Sequence, residues 1–370
     1  PGAELTEQRA ELRELVARGP HAFEPWAYVG FIPKRGAAPP EDPTRPIDWS
    51  FDLPARGDGL RIACLGGSTT AGVYPRILSD LLQQNTGTAH QVMNWGVSGW
   101  STQETMINYF SNVVDFEPDL LILHHAINDT PARRKPGFRA DYAHDRRTWK
   151  QASYSGLERA LFAISDLYAD LQLERNAQRF TLDALVGHEL GPSLEALGPA
   201  SALDPSTAST YRRNLDSIVR DATSRGTGIV LMTMPFKRSL AAPLESGEQQ
   251  LWVAAVEQHN RIARKLSATY GCMLADAEAW FDERPEQAEA AFVDRVHLTG
   301  EGDGWKAALV GASLFEAGWL RPSGRDALDG ALTLEVPRGP AAAFGSPMEA
   351  DAKRIGAQAV TAESSSTQGM

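Results

Sequence analysis

Five short apolar runs recur along the chain, separated by stretches in which apolar residues have helical spacing. The runs do not alternate apolar and polar residues, so they are typical of strands buried on both faces of a sheet. Strands that alternate with helices predict parallel pairing through right-handed crossovers. We therefore expect an α/β fold with a doubly wound, five-stranded parallel sheet. Its predicted strands are residues 62–65, 91–94, 120–124, 229–233 and 273–276.

Outside these runs the pattern changes. Residues 1–59 combine a charged helical pattern with a proline-rich stretch, which predicts an N-terminal helix and an extended arm. The third and fourth strands are about a hundred residues apart, far more than a crossover needs. We expect a helical insertion at about 131–205 within a domain of residues 60–330, placed to act as a lid. Residues 335–370 lack an apolar stripe and predict an extended or disordered tail.

One apolar stripe within the insertion has clear helical spacing. Its positions repeat every three or four residues, which predicts a helix that packs this face on the core. The stripe consists of Leu157, Leu161, Ile164, Leu167 and Leu171.

Composition and charge narrow the function classes. The chain has 370 residues and a formal net charge of -11. Nucleic acid is not expected as a partner, because phosphate contacts require a basic surface.

No apolar run reaches the roughly 18 residues of a membrane-spanning helix, so no such helix is expected. A start at Pro1 slightly favours an extracytoplasmic or secreted protein that has lost a signal or anchor. Compartment and oligomeric state stay open.

A metal site is not expected either. The sequence has two cysteines, Cys64 and Cys272, which are too few for a disulfide framework or a cysteine-based zinc site. The adjacent pair His124-His125 lacks metal-ligand spacing, and no H-E-x-x-H motif occurs.

A glycine-rich turn follows the first strand, with the sequence Gly66-Gly67-Ser68-Thr69-Thr70. Phosphate binding is one interpretation, but neither the P-loop nor the dinucleotide-binding motif is present. A helix cap is a second, since serine and threonine are common at N-caps. A seat for a nucleophilic serine is the third, because ligands of open parallel sheets bind at the carboxyl ends of the strands. This third interpretation requires a base elsewhere in the chain.

A candidate base lies near the end of the domain, in the segment Asp294-Arg295-Val296-His297. Three residues of separation in a turn let Asp294 bind one ring nitrogen of His297 and leave the other free for Ser68. Oxyanion donors are available at two other strand ends, from glycine amides in the segment 94–99 and from the Asn128 side chain. Each residue alone also fits a turn or a helix cap. Their occurrence at four strand ends favours nucleophilic catalysis.

These four blocks resemble those of the SGNH hydrolases of the GDSL lipase/esterase superfamily, over about residues 60–320. The resemblance implies a flavodoxin-like sheet, ester hydrolysis through an acyl-enzyme and no cofactor. It makes Ser68, Asp294 and His297 the catalytic residues. It assigns the oxyanion hole to the backbone amides of Ser68 and Gly99 and to the Asn128 side chain.

Two supporting positions depart from the family pattern. Gly67 stands where the name-giving motif has aspartate, and Ala126 stands where a glycine is usual. Both departures affect fine geometry rather than the named catalytic positions. An ordinary α/β-hydrolase fits less well, because its G-x-S-x-G motif would need glycine at Thr70.

The substrate is less well defined. The resemblance suggests an O-acyl ester of a carbohydrate, a lipid or a small alcohol. An O-acyltransferase with the same site, or a catalytically silent glycan-binding protein, are the alternatives. Cations near two strand ends are candidate contacts for an anionic substrate, although charge runs are usually solvated surface. They are Arg133, Arg134, Lys237 and Arg238.

Overall fold

The computed structural model describes the sheet and parts of the segments around it. The described residues are 23–26, 28–33, 55–134, 137–144, 157, 160–161, 164–168, 203–237 and 247–323. The chain divides into two compact units. One comprises Pro1–Pro40, Ile47–Asp52 and Lys135–Gly198; the other comprises Glu41–Pro46, Leu53–Arg134 and Pro199–Met370.

The first unit contains an antiparallel hairpin of β1 (Phe23–Trp26) and β2 (Gly30–Pro33). The predicted N-terminal helix, most of the insertion and the predicted tail lie outside the described residues, so the predicted domain boundaries stay a prediction. Four positions of the apolar stripe are described. Leu161 is partly buried, whereas Leu157, Ile164 and Leu167 are 71 to 80% exposed, so the packing predicted for these three is not seen.

The second unit contains a five-stranded, all-parallel sheet. Its strands are β3 (Arg61–Gly66), β4 (Gln91–Gly96), β5 (Leu120–His124), β6 (Gly228–Met232) and β7 (Met273–Ala275). They are hydrogen-bonded in the order β4-β3-β5-β6-β7, with the first strand of the sheet between the second and third. This is the flavodoxin-like order. The predicted fold class is confirmed, and the predicted strands differ from the observed ones by at most two residues at either end.

Helices connect and flank the strands. They are α1 (Ser68–Ala71), α2 (Tyr74–Thr86), α3 (Thr102–Asn108), α4 (Thr130–Arg134), α5 (Ser209–Ser224), α6 (Gly247–Tyr270), α7 (Ala277–Asp282), α8 (Pro285–Ala291) and α9 (Gly300–Glu316). Single turns of other helix types occupy Tyr109–Val113, Val114–Phe116, Ile127–Asp129 and Pro205–Ala208.

The main core lies between one face of the sheet and the pair α2 and α9. Successive side chains of a strand point to opposite faces, so alternate residues such as Ile62 and Cys64 of β3 lie on this face. They belong to one buried cluster with Leu78 of α2 and Val310 of α9. Each fully buried side chain of this size contributes about 1.5–3 kcal/mol relative to an exposed one. The strands are therefore held firmly up to their carboxyl ends, where the candidate site lies.

Candidate active site

Ser68 is separated by Gly67 from the inner strand β3 and is the first residue of the short helix α1. The amides of Thr70 and Ala71 both donate to the Gly67 carbonyl at 3.0 Å, which closes the turn. Gly96, at the end of the neighbouring strand β4, has no side chain to keep the helix away from the sheet. A Cβ there would lie 2.4 Å from the Ala71 amide nitrogen. Strand, glycine turn and helix therefore place Ser68 at the carboxyl edge of the sheet.

A buried lysine supports α1 from the side of α9. The Lys306 ammonium donates to the Thr69 carbonyl at 2.7 Å and forms an ion pair with Asp303 at 2.7 Å. It also lies 4.3 Å from the centre of the Tyr74 ring. A buried ion pair is tolerated when further hydrogen bonds compensate the loss of hydration, as they do here. This pair was not among the predicted site residues, although the sequence shows an Asp and a Lys three residues apart in an otherwise apolar helix.

The predicted base lies in a tight turn between α8 and α9. An antiparallel bridge joins Phe292 to Leu298, and the Val293 amide donates to the His297 carbonyl at 2.9 Å. Inside this turn, Asp294 Oδ1 accepts the His297 amide at 2.8 Å, together with the Val296 amide at 2.9 Å. The Asp294 carboxylate is therefore fixed by its own turn.

The structure brings Ser68, His297 and Asp294 into one hydrogen-bonded series. Asp294 Oδ2 lies 2.6 Å from His297 Nδ1, and His297 Nε2 lies 2.8 Å from Ser68 Oγ. Partial burial raises the pKa of Asp294, but the hydrogen bonds and charge of His297 and the Val296 amide outweigh it, and the net pKa is below the ordinary value. The carboxylate therefore stays charged at neutral pH, where it favours a proton on Nδ1 of the ring.

The predicted oxyanion donors Gly99 and Asn128 follow β4 and β5, the two strands that flank β3. Gly99 has a φ of +82°, a conformation that favours glycine. Asn128 lies on the single turn after β5, and its side-chain amide donates to the Trp100 carbonyl at 2.9 Å. A Cβ on Gly67 would lie 2.4 Å from the same amide nitrogen. The segments of Gly67, Gly99 and Asn128 thus meet beside the serine.

The arrangement around Gly67 and Ala126 accommodates both departures from the family pattern. Any side chain at position 67 would require the Asn128 amide to shift, because a Cβ does not fit beside it in its present position. The absence of a side chain at Gly67 therefore lets Asn128 approach closely. Ala126 has a φ of -172°, which is extended backbone open to any residue, so a glycine is not required there.

The four candidate cations differ in their surroundings. Arg133 is 4% exposed. Its guanidinium donates to Thr207 Oγ1 at 3.0 Å and faces His259 Nε2 at 3.0 Å, so this cation is bound to other residues of the protein and not presented to a substrate. Arg134 ends α4. Lys237 forms an ion pair with Glu289 at 2.8 Å and lies close to the turn that carries Asp294 and His297. Arg238 lies outside the described residues.

The described residues hold no group of three His, Cys, Asp or Glu side chains arranged to bind a metal ion. Among the helices described there, none has both the length and the apolar character needed to cross a membrane.

A comparison with protein families decides the family. The sequence profile of the GDSL-like lipase/acylhydrolase family matches residues 64–304, which include all four sequence blocks. The chain belongs to this family. The resemblance predicted from the motifs is confirmed, and this GDSL-like acylhydrolase is a serine ester hydrolase. No curated protein sequence matches the chain.

Solved structures with a similar fold include other esterases. A lipase/acylhydrolase from Enterococcus faecalis is 15% identical with a TM-score of 0.44, over 72% of this chain and 99% of that chain. The acetylxylan esterase Axe2 from Geobacillus stearothermophilus is 18% identical with a TM-score of 0.42, over 72% and 98% of the two chains. An α/β hydrolase from the metagenome of Lake Arreo in Spain is 16% identical with a TM-score of 0.42, over 69% of this chain and 94% of that chain. Such distant likenesses carry nothing about the substrate of this chain.

Proposed function

We propose that this GDSL-like acylhydrolase cleaves an O-acyl ester through an acyl-serine intermediate formed on Ser68. The observation that supports this most directly is the series from Ser68 Oγ to His297 Nε2 at 2.8 Å and from His297 Nδ1 to Asp294 Oδ2 at 2.6 Å. These are the distances that proton transfer from a serine to an oriented imidazole needs.

In the first half of the proposed reaction, Ser68 Oγ bonds to the ester carbonyl carbon while its proton passes to His297 Nε2. The carbonyl oxygen takes up the electron pair and becomes an oxyanion. When the intermediate collapses, the bond to the alcohol breaks and His297 returns the proton to the leaving oxygen. Asp294 stabilises the imidazolium between these steps. Water then attacks the acyl-serine through the same base and releases the acid.

The oxyanion would be bound by three donors: the backbone amides of Ser68 and Gly99 and the side-chain amide of Asn128. One hydrogen of the Asn128 amide is directed to the Trp100 carbonyl, which orients the group and leaves its second hydrogen available. Removal of a single oxyanion donor typically lowers kcat by about 10²–10³-fold.

The proposed substrates are small-molecule and carbohydrate esters. The test compares p-nitrophenyl acetate, butyrate and octanoate with acetylated glycans. Ser68→Ala should lower kcat by about 10⁴–10⁶-fold, because the nucleophile acts as a unit with its base. Ser217→Ala is the matched control, since Ser217 lies on an exposed helix surface and its hydroxyl donates to the Arg213 carbonyl of the same helix.

Two outcomes would contradict the proposal. One is equal ester turnover by the wild type and Ser68→Ala; the other is no turnover of any ester by the wild type. Labelling with a serine-reactive phosphonate, followed by peptide mass spectrometry, locates the nucleophile independently of the choice of ester. The acyl-chain profile separates a preference for acetyl esters from a preference for long chains.

A further inference from the structure

The backbone that carries Asn128 is fixed by side chains from other helices. We call residues 125–129 the oxyanion loop. The Tyr211 hydroxyl of α5 donates to the His125 carbonyl at 2.7 Å, and the Asp129 carboxylate accepts the Thr102 amide of α3 at 3.1 Å. These bonds hold the two ends of the loop.

The middle of the oxyanion loop is held by His259 of α6. His259 Nδ1 lies 2.9 Å from the Ala126 carbonyl oxygen, two residues before Asn128. The imidazole is 0% exposed and stacks on the Tyr211 ring at 4.1 Å between ring centres. It therefore has neither solvent nor room to reorient.

The partners of His259 determine which ring nitrogen carries the proton. A carbonyl oxygen can only accept, so Nδ1 must carry the hydrogen that binds Ala126. A guanidinium can only donate, so Nε2 must be the acceptor for Arg133, which lies 3.0 Å away. Burial and the nearby charge of Arg133 also hold the pKa of His259 well below its usual value, so the ring stays neutral.

Arg133 connects this histidine to both ends of the inserted segment. It lies just before Lys135, where the chain enters the other unit, and it binds Thr207, which follows the return of the chain at Pro199. A second guanidinium nitrogen donates to Gln258 of α6. The two chain ends at the insertion are thus bound to the helix that holds the oxyanion loop.

We infer that His259 is a positioning residue for the oxyanion donor Asn128, with Arg133 holding it in the required tautomer. The inference rests on the proposed ester hydrolysis. Residues 127–129 form one helical turn, so a displacement of the Ala126 carbonyl is passed on to the Asn128 side chain. Misplacement of a catalytic group by about 1 Å can lower the rate by about 10²-fold.

Two substitutions test the two hydrogen bonds of His259 one at a time: the bond to the Ala126 carbonyl and the bond to Arg133. Asparagine at this position can place an amide near Nδ1 and keep the bond to Ala126, whereas glutamine can place its oxygen near Nε2 and keep the bond to Arg133. We expect His259→Gln to lower kcat on p-nitrophenyl acetate by about 10–100-fold at unchanged KM. His259→Asn should keep kcat within about threefold of the wild type, as rescue by the variant that retains the loop bond.

Ser267→Ala is the matched control for loss of a buried hydrogen bond on the same helix. Ser267 lies near the end of α6, is 7% exposed, and its hydroxyl donates to the Cys272 carbonyl at 2.7 Å, just before the first residue of β7. The Ser267→Ala variant should lower Tm and leave kcat near the wild-type value. If His259→Gln does not fold, Arg133→Met is compared with Thr207→Val, and only the former should lower kcat at unchanged KM.

The outcomes separate this inference from the proposed function. Equal kcat in wild type and His259→Gln, or equal losses in His259→Gln and His259→Asn, would overturn the positioning role while leaving ester hydrolysis intact. A wild type without ester turnover would overturn the proposed function and, with it, the role of His259.

Discussion

The two sides of the candidate active site are built in different ways. In the base turn, residues 294–297, the catalytic side chains are oriented by contacts within three residues, because Asp294 binds both the ring and the amide of His297. The oxyanion loop, residues 125–129, is held instead by Thr102, Tyr211 and His259, which lie up to 133 residues away in the chain.

The two sides also differ in burial. The side chains of Asp294 and His297 are 41% and 25% exposed. In the oxyanion loop, His125, Ala126 and Asp129 are 3% exposed or less. A group that must pick up and release protons can be assembled locally and stay near water. A donor that must already be in place when negative charge forms needs a rigid, buried frame.

The largest effect in this comparison is expected from Asp294→Asn. The amide keeps the size of the side chain but cannot stabilise the imidazolium, and it favours the wrong tautomer of His297. The expected loss in kcat is about 10⁴-fold. Because the turn is local, Tm should change little, and thermal unfolding of the same sample checks this. A large loss of Tm would contradict the view that the contact between Asp294 and His297 is a local feature of the turn.

A smaller effect is expected from Asn128→Ala, which removes one of the proposed oxyanion donors. The loss should be about 10²–10³-fold in kcat at unchanged KM, as determined from initial rates on p-nitrophenyl acetate. Asn85→Ala is the control, because the Asn85 side chain donates to the Leu81 carbonyl on α2. If kcat were unchanged in Asn128→Ala, the frame around the loop would serve stability and not catalysis.

The smallest effect is expected from Lys237→Ala, next to the base turn. The backbone amide of Lys237 donates to the Arg295 carbonyl at 2.8 Å, and the substitution keeps this bond. Its ammonium is paired with Glu289, whose side chain is 55% exposed, and such pairs contribute about 0–1 kcal/mol. We expect KM to rise about two- to fivefold for an anionic ester and to stay constant for a neutral one. Equal KM values for the anionic ester in both proteins would remove Lys237 as a substrate contact.

Much of the fold could be predicted from local patterns. The five apolar runs correspond to β3 to β7, and α2 follows the glycine-rich turn as expected. The spacing from Asp294 to His297 also predicted a contact that the turn forms by itself. Short-range periodicity and turn chemistry determine these features, so they can be read without knowledge of the rest of the chain.

Residues that act at long range could not be predicted in the same way. Arg133 belonged to a charge run that suggested a surface, yet it is buried against Thr207 and His259. His259 stood in a helical pattern with no sign of a partner. Lys306 has Asp303 three residues before it, but nothing in the sequence showed that it would also bind the Thr69 carbonyl. A single sequence does not show which side chain of one helix will meet a carbonyl of a distant loop.

The sequence by itself determined the order of strands and helices, the turn at Ser68 and the pairing of Asp294 with His297, since each depends on neighbouring residues. Only the tertiary structure decided that Gly67 makes room for the Asn128 amide, that Lys306 binds the helix that carries Ser68, and that His259 binds the oxyanion loop. The reason is physical: a buried polar group needs a partner, and packing selects that partner from the whole folded chain.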